Sequence, residues 1–299
     1  MNNIKVNFSI KDLENLTGIK AHTIRIWEKR YNLLQPNRSD TNIRNYSLTS
    51  FQKLLNISYL NNNGLKISKI AKLDEEEIPI KVREIASRAK VEDHAINALK
   101  MAMINFDQVL FYSTYNNLLE NKTFSEIFYS VFLPLLNEIG LLWQTNTITP
   151  AHEHFLSVHI KQKILLNTER LQLLEPKPVS KTFVLFLPDN EIHDIGLLFI
   201  NYKLRSKGFH TIFLGESVPM ESLTDLLEFF NEITFISYFT VYPETKDIPD
   251  YIKDFSELLL EKDNTELLLL GKKLNDLELD VIPDKVSIFN SIENLVKDI

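Results

Sequence analysis

The sequence predicts a multidomain protein with a basic helical head, an all-helical middle segment and a C-terminal α/β domain. Positive charge is concentrated before the acidic stretch DEEEIP, and helical periodicity runs through the segment after it. Beyond the proline-containing stretch EPKPVSK, short apolar runs alternate with helical patterns. We therefore place domains at 1–75, 80–174 and 180–299, a division that 299 residues can supply with separate cores.

Composition excludes several classes of protein. No apolar run reaches the length of about 18 residues that a membrane span requires, and the N-terminal residues lack the layout of a secretory signal. The chain contains no cysteine, which excludes disulfides, iron–sulfur clusters and thiolate metal sites. We expect a cytoplasmic protein with no membrane partner.

The charge is distributed unevenly along the chain. Residues 1–73 contain 12 Lys and Arg against 4 Asp and Glu, whereas the remainder contains 21 against 36. A basic head on an acidic body predicts that the head binds a polyanion.

The basic head has the pattern of a helix-turn-helix. Ser9 is suited to cap a short helix that ends near Gly18, and a second helix begins about Lys20. The second helix of such a motif enters the major groove, and the polar, basic stretch PNRSDTNIRNYS has the composition of a wing that contacts phosphates. The contacts predicted from this layout are His22, Thr23, Arg25, Lys29, Arg38 and Arg44.

Over about 70 residues the head resembles the MerR family of transcriptional regulators. The resemblance rests on the run IRIWEKRY, a Pro-x-Arg wing, an Arg-x-Tyr pair and two further helices in LTSFQKLLNISYLNNNGLKISKIAKL. Asn42 stands where the family usually has Gly, and Asn tolerates left-handed backbone angles. The resemblance implies binding to a double-stranded DNA operator and adds Arg30 and Tyr46 to the predicted contacts. Typical members continue into one long dimerisation helix, which this chain lacks, so we expect association through the body.

The middle segment carries helical patterns that predict a four-helix bundle. Within it, Trp143 is followed by nine residues and then by Glu153 and His154. By itself this pattern predicts a core tryptophan and an exposed helix start. A metal site at HEH is disfavoured, because histidines at i and i+2 point to different sides of a helix.

The C-terminal segment predicts a doubly wound parallel sheet of five strands, of the flavodoxin-like (Rossmann-type) kind. The strands are expected at TFVLFL, HTIFLG, ITFISYF, TELLLLG and KVSIFN. The helices are expected at DIGLLFINYKLRSKG, MESLTDLLEFFNE, DIPDYIKDFSELLLEK and SIENLVKD.

The turn LPDNEIHDIGLL places His193 beyond the carboxyl end of the first of these strands, where open α/β sheets bind ligands. Gly196 would let a bulky planar ligand approach the backbone. Neutral imidazole ligates first-row metals, and a carboxylate on its other nitrogen fixes the tautomer. Spacing leaves open whether Glu191 or Asp189 supplies that carboxylate.

The pattern E-I-H-D-I-G, followed by LRSKGFHTIFLG and VP, resembles the cobalamin-binding module. The resemblance implies that His193 is the lower axial ligand of cobalt and that the nucleotide tail of the corrinoid inserts between the sheet and its helices. Two departures, Tyr238 and Phe239 after the serine and a single glycine in LLLLGKK, would narrow the tail tunnel. The cofactor-binding residues implied in this domain are Glu191, His193, Asp194, Gly196, Ser237 and Gly271.

The order of the domains and the Trp-x9-Glu-His spacing resemble the CarH-like cobalamin-dependent photoreceptor repressors. The resemblance implies that Trp143 covers the upper face of the corrin, and that Glu153 and His154 lie beside an adenosyl or methyl upper ligand. Light-sensing members can have His directly after the Trp, where this chain has Gln144, so we expect no stable bis-histidine photoproduct.

The function predicted is that of a transcriptional regulator, a repressor by resemblance, whose assembly into a dimer or tetramer and whose operator binding respond to cobalamin and, in the family, to light. One alternative is a MerR-type regulator that has lost cobalamin and acts through protein partners. A corrinoid methyl-transfer protein is a further alternative. No partner catalytic domain accompanies the module, so we expect no enzyme.

Overall fold

The computed structural model describes residues 7–38, 42–62, 64–86, 91–144, 147–171, 181–261, 263–274 and 282–299. The chain forms two compact units, Met1–Val158 and His159–Ile299. The predicted linker EPKPVSK lies outside the described residues except for Lys181. The division into three domains stays a prediction.

The head combines two short helices with a small antiparallel sheet. Helix α1 spans Ile10–Thr17 and α2 spans Ala21–Tyr31. As expected, Ser9 caps α1, in a capping box with Asp12, and Gly18 ends it in the left-handed conformation at φ 73°. The sheet has the order β1-β3-β2, and its strands are β1 Asn7–Phe8, β2 Asn37–Arg38 and β3 Arg44–Ser47.

Three further helices follow the small sheet: α3 Leu48–Asn62, α4 Ile67–Ile70 and α5 Glu77–Ala86. Helix α5 begins inside the acidic stretch DEEEIP and packs against α3. The stretch that we interpreted as a break between domains is therefore partly helical, since Glu77 lies in the first turn, where an acidic side chain favours a helix.

The remaining helices, from residue 91 to residue 169, follow one another along the chain. Aromatic side chains pack between them, with the rings of Phe111 and Phe132 stacked at 6.3 Å between centroids. The helices are α6 Val91–Asn105, α7 Gln108–Leu119, α8 Phe124–Ile127, a π-helical turn Phe128–Phe132, α9 Leu133–Gln144 and α10 Pro150–Glu169.

The C-terminal part contains the predicted parallel sheet, in the order β5-β4-β6-β7-β8. All five apolar runs became strands, which are β4 Lys181–Phe186, β5 His210–Gly215, β6 Glu232–Tyr238, β7 Thr265–Leu270 and β8 Val286–Ile288. A strand buried on both faces reads as an apolar run, which explains why the prediction succeeded.

Helices cover both faces of this sheet. On one face, α11 Ile195–Ser206 and α14 Ile292–Asp298 contact each other. On the other, α13 Ile248–Leu259 forms one apolar cluster with alternate residues of the strands. The chain leaves β4 for one face and β6 for the other, so the loops after these two strands diverge around a crevice.

The predicted helix MESLTDLLEFFNE is not continuous. It consists of a 3-10 turn at Met220–Leu223 and a single helical turn, α12, at Leu226–Phe229. The Thr224 hydroxyl donates to the Glu221 carbonyl, a local bond that competes with helix propagation. Among the described residues, no helix is long and apolar enough to cross a membrane.

Candidate functional site

The turn after β4 is built around a buried carboxylate, that of Glu191, which is 0% exposed. Its Oε2 accepts three backbone N–H groups from the loop after β6, from Thr240 at 3.0 Å, Val241 at 2.6 Å and Tyr242 at 2.9 Å. One side chain therefore ties together the two loops that border the crevice.

The other carboxylate oxygen of Glu191 holds His193. Oε1 accepts the backbone N–H groups of Ile192 at 2.9 Å and His193 at 3.0 Å, and it lies 2.5 Å from His193 Nδ1. The structure thus identifies Glu191, rather than Asp189, as the carboxylate on the imidazole. The His193 side chain is 49% exposed.

The carboxylate of Glu191 is ionised, which fixes the tautomer of His193. Burial acts to raise the pKa of Glu191, but the bonds from His193, Val241 and Tyr242 outweigh it and hold the pKa at about 2. A carboxylate can only accept, so Nδ1 carries the proton and the lone pair of the ring lies on Nε2. Nε2 of this half-exposed ring is suited to ligate a metal.

Asp194, the next residue, anchors the turn to helix α10. Lys161 Nζ lies 2.6 Å from Asp194 Oδ1 and 3.1 Å from Glu216 Oε1. Burial raises the pKa of Asp194, and Lys161 opposes that rise. Burial likewise acts to lower the pKa of Lys161, but the two carboxylates outweigh it and raise that pKa. Asp194 therefore positions the turn and faces Lys161.

Gly196 is covered by an aromatic ring of the chain itself. A Cβ atom built on Gly196 would lie 2.8 Å from Tyr238 Cε2 and 2.9 Å from Tyr238 Cζ. We expected the missing side chain to admit a planar ligand, and in this structure Tyr238 lies against that surface. The residues at His193 fit a corrinoid, whereas the cleft at Gly196 is filled.

The structure places Ser237 and Gly271 away from that contact. Ser237 pairs in register with Phe186, which faces α13, so strand alternation turns Ser237 to that face and Tyr238 toward α11. The Ser237 hydroxyl is buried with no hydrogen-bond partner among the described residues. Gly271, at φ 125°, packs on the backbone of Phe239, where a Cβ would lie 2.1 Å from the carbonyl oxygen.

Around His193, the carboxyl edge of the sheet exposes apolar side chains. Those with substantial exposure are Ile192, Leu214, Val241 and Tyr242. Among the described residues, no group of three or more His, Asp or Glu side chains could hold a metal ion. A single histidine on an apolar edge is suited to a metal that arrives already coordinated by a macrocycle, as cobalt does in a corrin.

The predicted upper-ligand residues lie in the helical region. Glu153 and His154 are in the first turn of α10, with His154 Nε2 3.3 Å from Glu153 Oε2. The Glu153 carboxylate also accepts the Ser157 hydroxyl. Trp143 and Gln144 lie at the end of α9, and their side chains are outside the described part of the chain.

The predicted DNA contacts form a mostly exposed basic set. His22, Arg25, Lys29, Arg30 and Arg38 are exposed, and Thr23 is partly buried. Arg38 Nη1 donates to the Asn42 side chain at 2.5 Å, and Asn42 has the expected left-handed backbone, at φ 62°.

Arg44 and Tyr46 differ from the other predicted contacts. Arg44 Nε donates to Glu28 Oε2 at 3.1 Å, and the Tyr46 hydroxyl donates to the other oxygen of Glu28. Tyr46 is fully buried, so its side chain holds β3 to α2 and does not offer a surface to DNA, contrary to our expectation. The structure adds Glu28 as a positioning residue, which sequence spacing did not indicate.

Comparisons with known proteins match two parts of the chain to family models. Residues 8–77 match the model of the MerR HTH family regulatory protein, and residues 95–166 match that of the B12 binding domain. The HTH-type transcriptional repressor CarH of Myxococcus xanthus is 28% identical over 224 residues, 72% of this chain and 73% of that protein. CarA, a repressor of the same description and organism, is 26% identical over 216 residues, 72% of this chain and 70% of that protein.

A solved structure shares the fold of the body. The Methanosarcina barkeri monomethylamine corrinoid protein superposes with a TM-score of 0.58 at 15% identity, covering 69% of this chain and 97% of that chain. Fold, site and matches together define a class of protein, the DNA-binding regulators that have a MerR-type head and a B12-binding domain. Within that class the chain is CarH-like, and the resemblance stated from the sequence is confirmed.

Proposed function

We propose that this chain is a transcriptional repressor whose binding to its operator responds to a cobalamin held at His193. The observation that carries the proposal is the buried, ionised Glu191, which keeps the proton on Nδ1 of His193 and the lone pair on Nε2. A bound corrinoid would supply a cobalt centre, which Nε2 of His193 would hold.

Different residues of the site have different roles in this proposal. Glu191 fixes the tautomer and orientation of His193, and the apolar side chains at the sheet edge exclude water from beneath a flat ligand. We also assign to the site the other residues implied by the family resemblance, which would contact the lower side of the corrinoid: Asp194, Gly196, Ser237 and Gly271. By family spacing, we assign the contacts to the upper ligand to Trp143, Glu153 and His154, at the end of a four-helix cap.

The head supplies affinity for DNA. The exposed basic residues of α2 enter the major groove in this proposal, and the strands β2 and β3 act as the wing, with Arg38 on a phosphate. Specific binding typically buries about 1,000 Å² or more of protein surface, which one head does not provide. Association of the bodies as a dimer or tetramer would link heads and raise their effective concentration on DNA.

The first test is retention of the cofactor. Adenosylcobalamin or methylcobalamin is added to the purified chain in the dark, the sample is desalted, and the absorption spectrum and size-exclusion mass are recorded. We expect the wild-type chain to retain the corrinoid and His193→Ala to lose it. His210→Ala, at the opposite end of the same domain's sheet, is the matched control and is expected to retain it.

The second test is operator binding. The chain with and without cobalamin selects duplexes from a random double-stranded DNA library, and Arg25→Ala is run beside it. Sequence-selective binding that depends on cobalamin and weakens in Arg25→Ala supports the proposal.

A second candidate function is favoured by the ring of Tyr238 against Gly196, which occupies part of the cleft. In that case the chain binds DNA and responds to a protein partner. A chain that retains no corrinoid and still selects the same duplexes would identify this function and would contradict the first.

A further inference from the structure

The side chain of Tyr238 fills the space between the sheet and the start of α11. It lies at the last position of β6, on the face that α11 covers, and its ring occupies the space where a Cβ of residue 196 would lie. Because Tyr238 is partly buried there, the pKa of its hydroxyl is raised. The contact is therefore a packed one, and any side chain at residue 196 would displace the ring.

This contact changes the role that we expect for Gly196. A glycine at the start of a helix beyond a strand end lets a flat group lie against the backbone. In this chain, the flat group is the chain's own phenol ring. A second planar group can use the same surface only if the ring moves away.

The rest of the turn is independent of this cleft. The hydrogen bonds by which Glu191 holds His193 and the loop after β6 involve neither Gly196 nor the ring of Tyr238. Binding at His193 and occupation of the cleft are thus separable, so a corrinoid can be recognised by its metal and ring without its lower nucleotide base.

We propose that Tyr238 determines which corrinoids this chain binds, by competing with the planar base of the nucleotide tail for the surface of Gly196. The inference rests on the proposed function and names its ligand class. Corrinoids without a lower base, such as cobinamide, bind at no cost to this contact. Complete cobalamins must displace the ring, which weakens them relative to cobinamide.

The experiment measures the dissociation constants of cobalamin and cobinamide by absorbance titration, for the wild-type chain and for Tyr238→Ala. Burying an aromatic side chain changes an equilibrium constant by roughly tenfold to a hundredfold, so removing the ring should tighten cobalamin about tenfold or more. Cobinamide should change by less than about threefold, since its binding leaves the ring in place. The preference for cobalamin over cobinamide therefore rises.

Two variants serve as controls. Tyr238→Phe keeps the ring and should retain the wild-type preference. Tyr202→Ala removes a tyrosine from α11 away from Gly196 and should do the same. If Tyr238→Ala shifts both corrinoids equally, or neither, Tyr238 does not select the tail and the inference is wrong while the proposed function stands. If the wild type and all variants retain no corrinoid, the proposed function fails and the inference fails with it.

The contact itself can be tested without a ligand. Gly196→Ala should destabilise the wild-type chain, because its Cβ would lie 2.8 Å from the ring. In the Tyr238→Ala background most of that cost should vanish, as measured by thermal unfolding of the single and double variants. An equal cost in both backgrounds would show that the ring does not cover Gly196 and would overturn the inference.

Discussion

Replacing Glu191 by Gln removes one charge from the centre of the candidate site and changes little else in shape. The carboxylate accepts N–H groups on both oxygens, whereas a carboxamide accepts on one and donates on the other. If the amide oxygen faces Thr240, Val241 and Tyr242, the NH₂ group faces the N–H donors of the His193 turn. The imidazole must then switch tautomer, which puts the proton on Nε2.

The magnitude follows from the pKa of Glu191. The folded chain holds it at about 2 against an ordinary value of 4.5, a difference that corresponds to about 3 kcal/mol of stability at neutral pH. For a domain of this size, a loss of about 3 kcal/mol lowers the melting temperature by roughly 10 °C. Loss of the carboxylate behind a metal-ligating histidine typically weakens metal binding about 10- to 100-fold.

The sign of the pH dependence distinguishes this account from simple packing loss. Because the folded pKa of Glu191 is lowered, its stabilisation is fully present above pH 4.5 and disappears as the pH falls toward 2. The advantage of the wild type over Glu191→Gln should therefore be full at pH 7 and shrink by pH 3.

Thermal unfolding of the full chain, followed by circular dichroism from pH 7 to pH 3, measures both effects. Glu244→Gln is the matched control, since its carboxylate is largely exposed and forms a surface pair with Lys246, and it should melt close to the wild type. A melting temperature for Glu191→Gln within about 2 °C of wild type at pH 7 would refute the reasoning. So would a deficit that is the same at pH 3.

Two further substitutions test residues that support the site without binding the ligand metal. Gly271→Ala should lower the free energy of unfolding by roughly 3 kcal/mol or more, or prevent folding, since φ is 125° and the Cβ would meet the Phe239 backbone. Gly140→Ala is its control and should be neutral or stabilising, because a Cβ at that position of α9 meets no other atom within 4 Å. Equal melting temperatures of the two variants would contradict this prediction. Lys161→Met should cost about 2 kcal/mol at pH 7, by leaving the carboxylate of Asp194 without its counter-charge, and less at pH 5, where protonation is easier. Lys253→Met is its control, since it breaks the exposed pair with Glu257. If Lys161→Met lowers the stability by as much at pH 5 as at pH 7, the ion pair is not the cause.

The elements of the α/β domain could be predicted because their signals are local. Each buried strand is a short apolar run, and the position of His193 after the first run already put it at the edge of the sheet where ligands bind. Helix α12 was overestimated, because apolar periodicity does not reveal that Thr224 bonds back to its own turn.

The partners in the site could not be predicted, because they are distant in sequence. Glu191 bonds to amides 49 to 51 residues further along the chain, and that contact depends on β4 pairing with β6 in a particular register. Backbone N–H groups leave no signature in the sequence, so spacing could not decide between Glu191 and Asp189. The approach of Tyr238 to Gly196 depends on the same pairing, although the bulk of Tyr238 was visible as a departure from the family.

Three residues of the turn, Glu191, His193 and Asp194, have different roles in the candidate site. Glu191 holds the turn to the loop after β6, His193 offers Nε2 outward, and Asp194 holds Lys161 of α10. Lys161 lies in α10, which runs from Pro150 to Glu169, so the Asp194–Lys161 pair fixes the position of the turn against that part of the helix. The ion pair is mostly buried and salt screens it little, so it should persist at physiological ionic strength. Asp194 is therefore suited to position the turn, while His193 is the residue of the turn whose free ring nitrogen can ligate a metal.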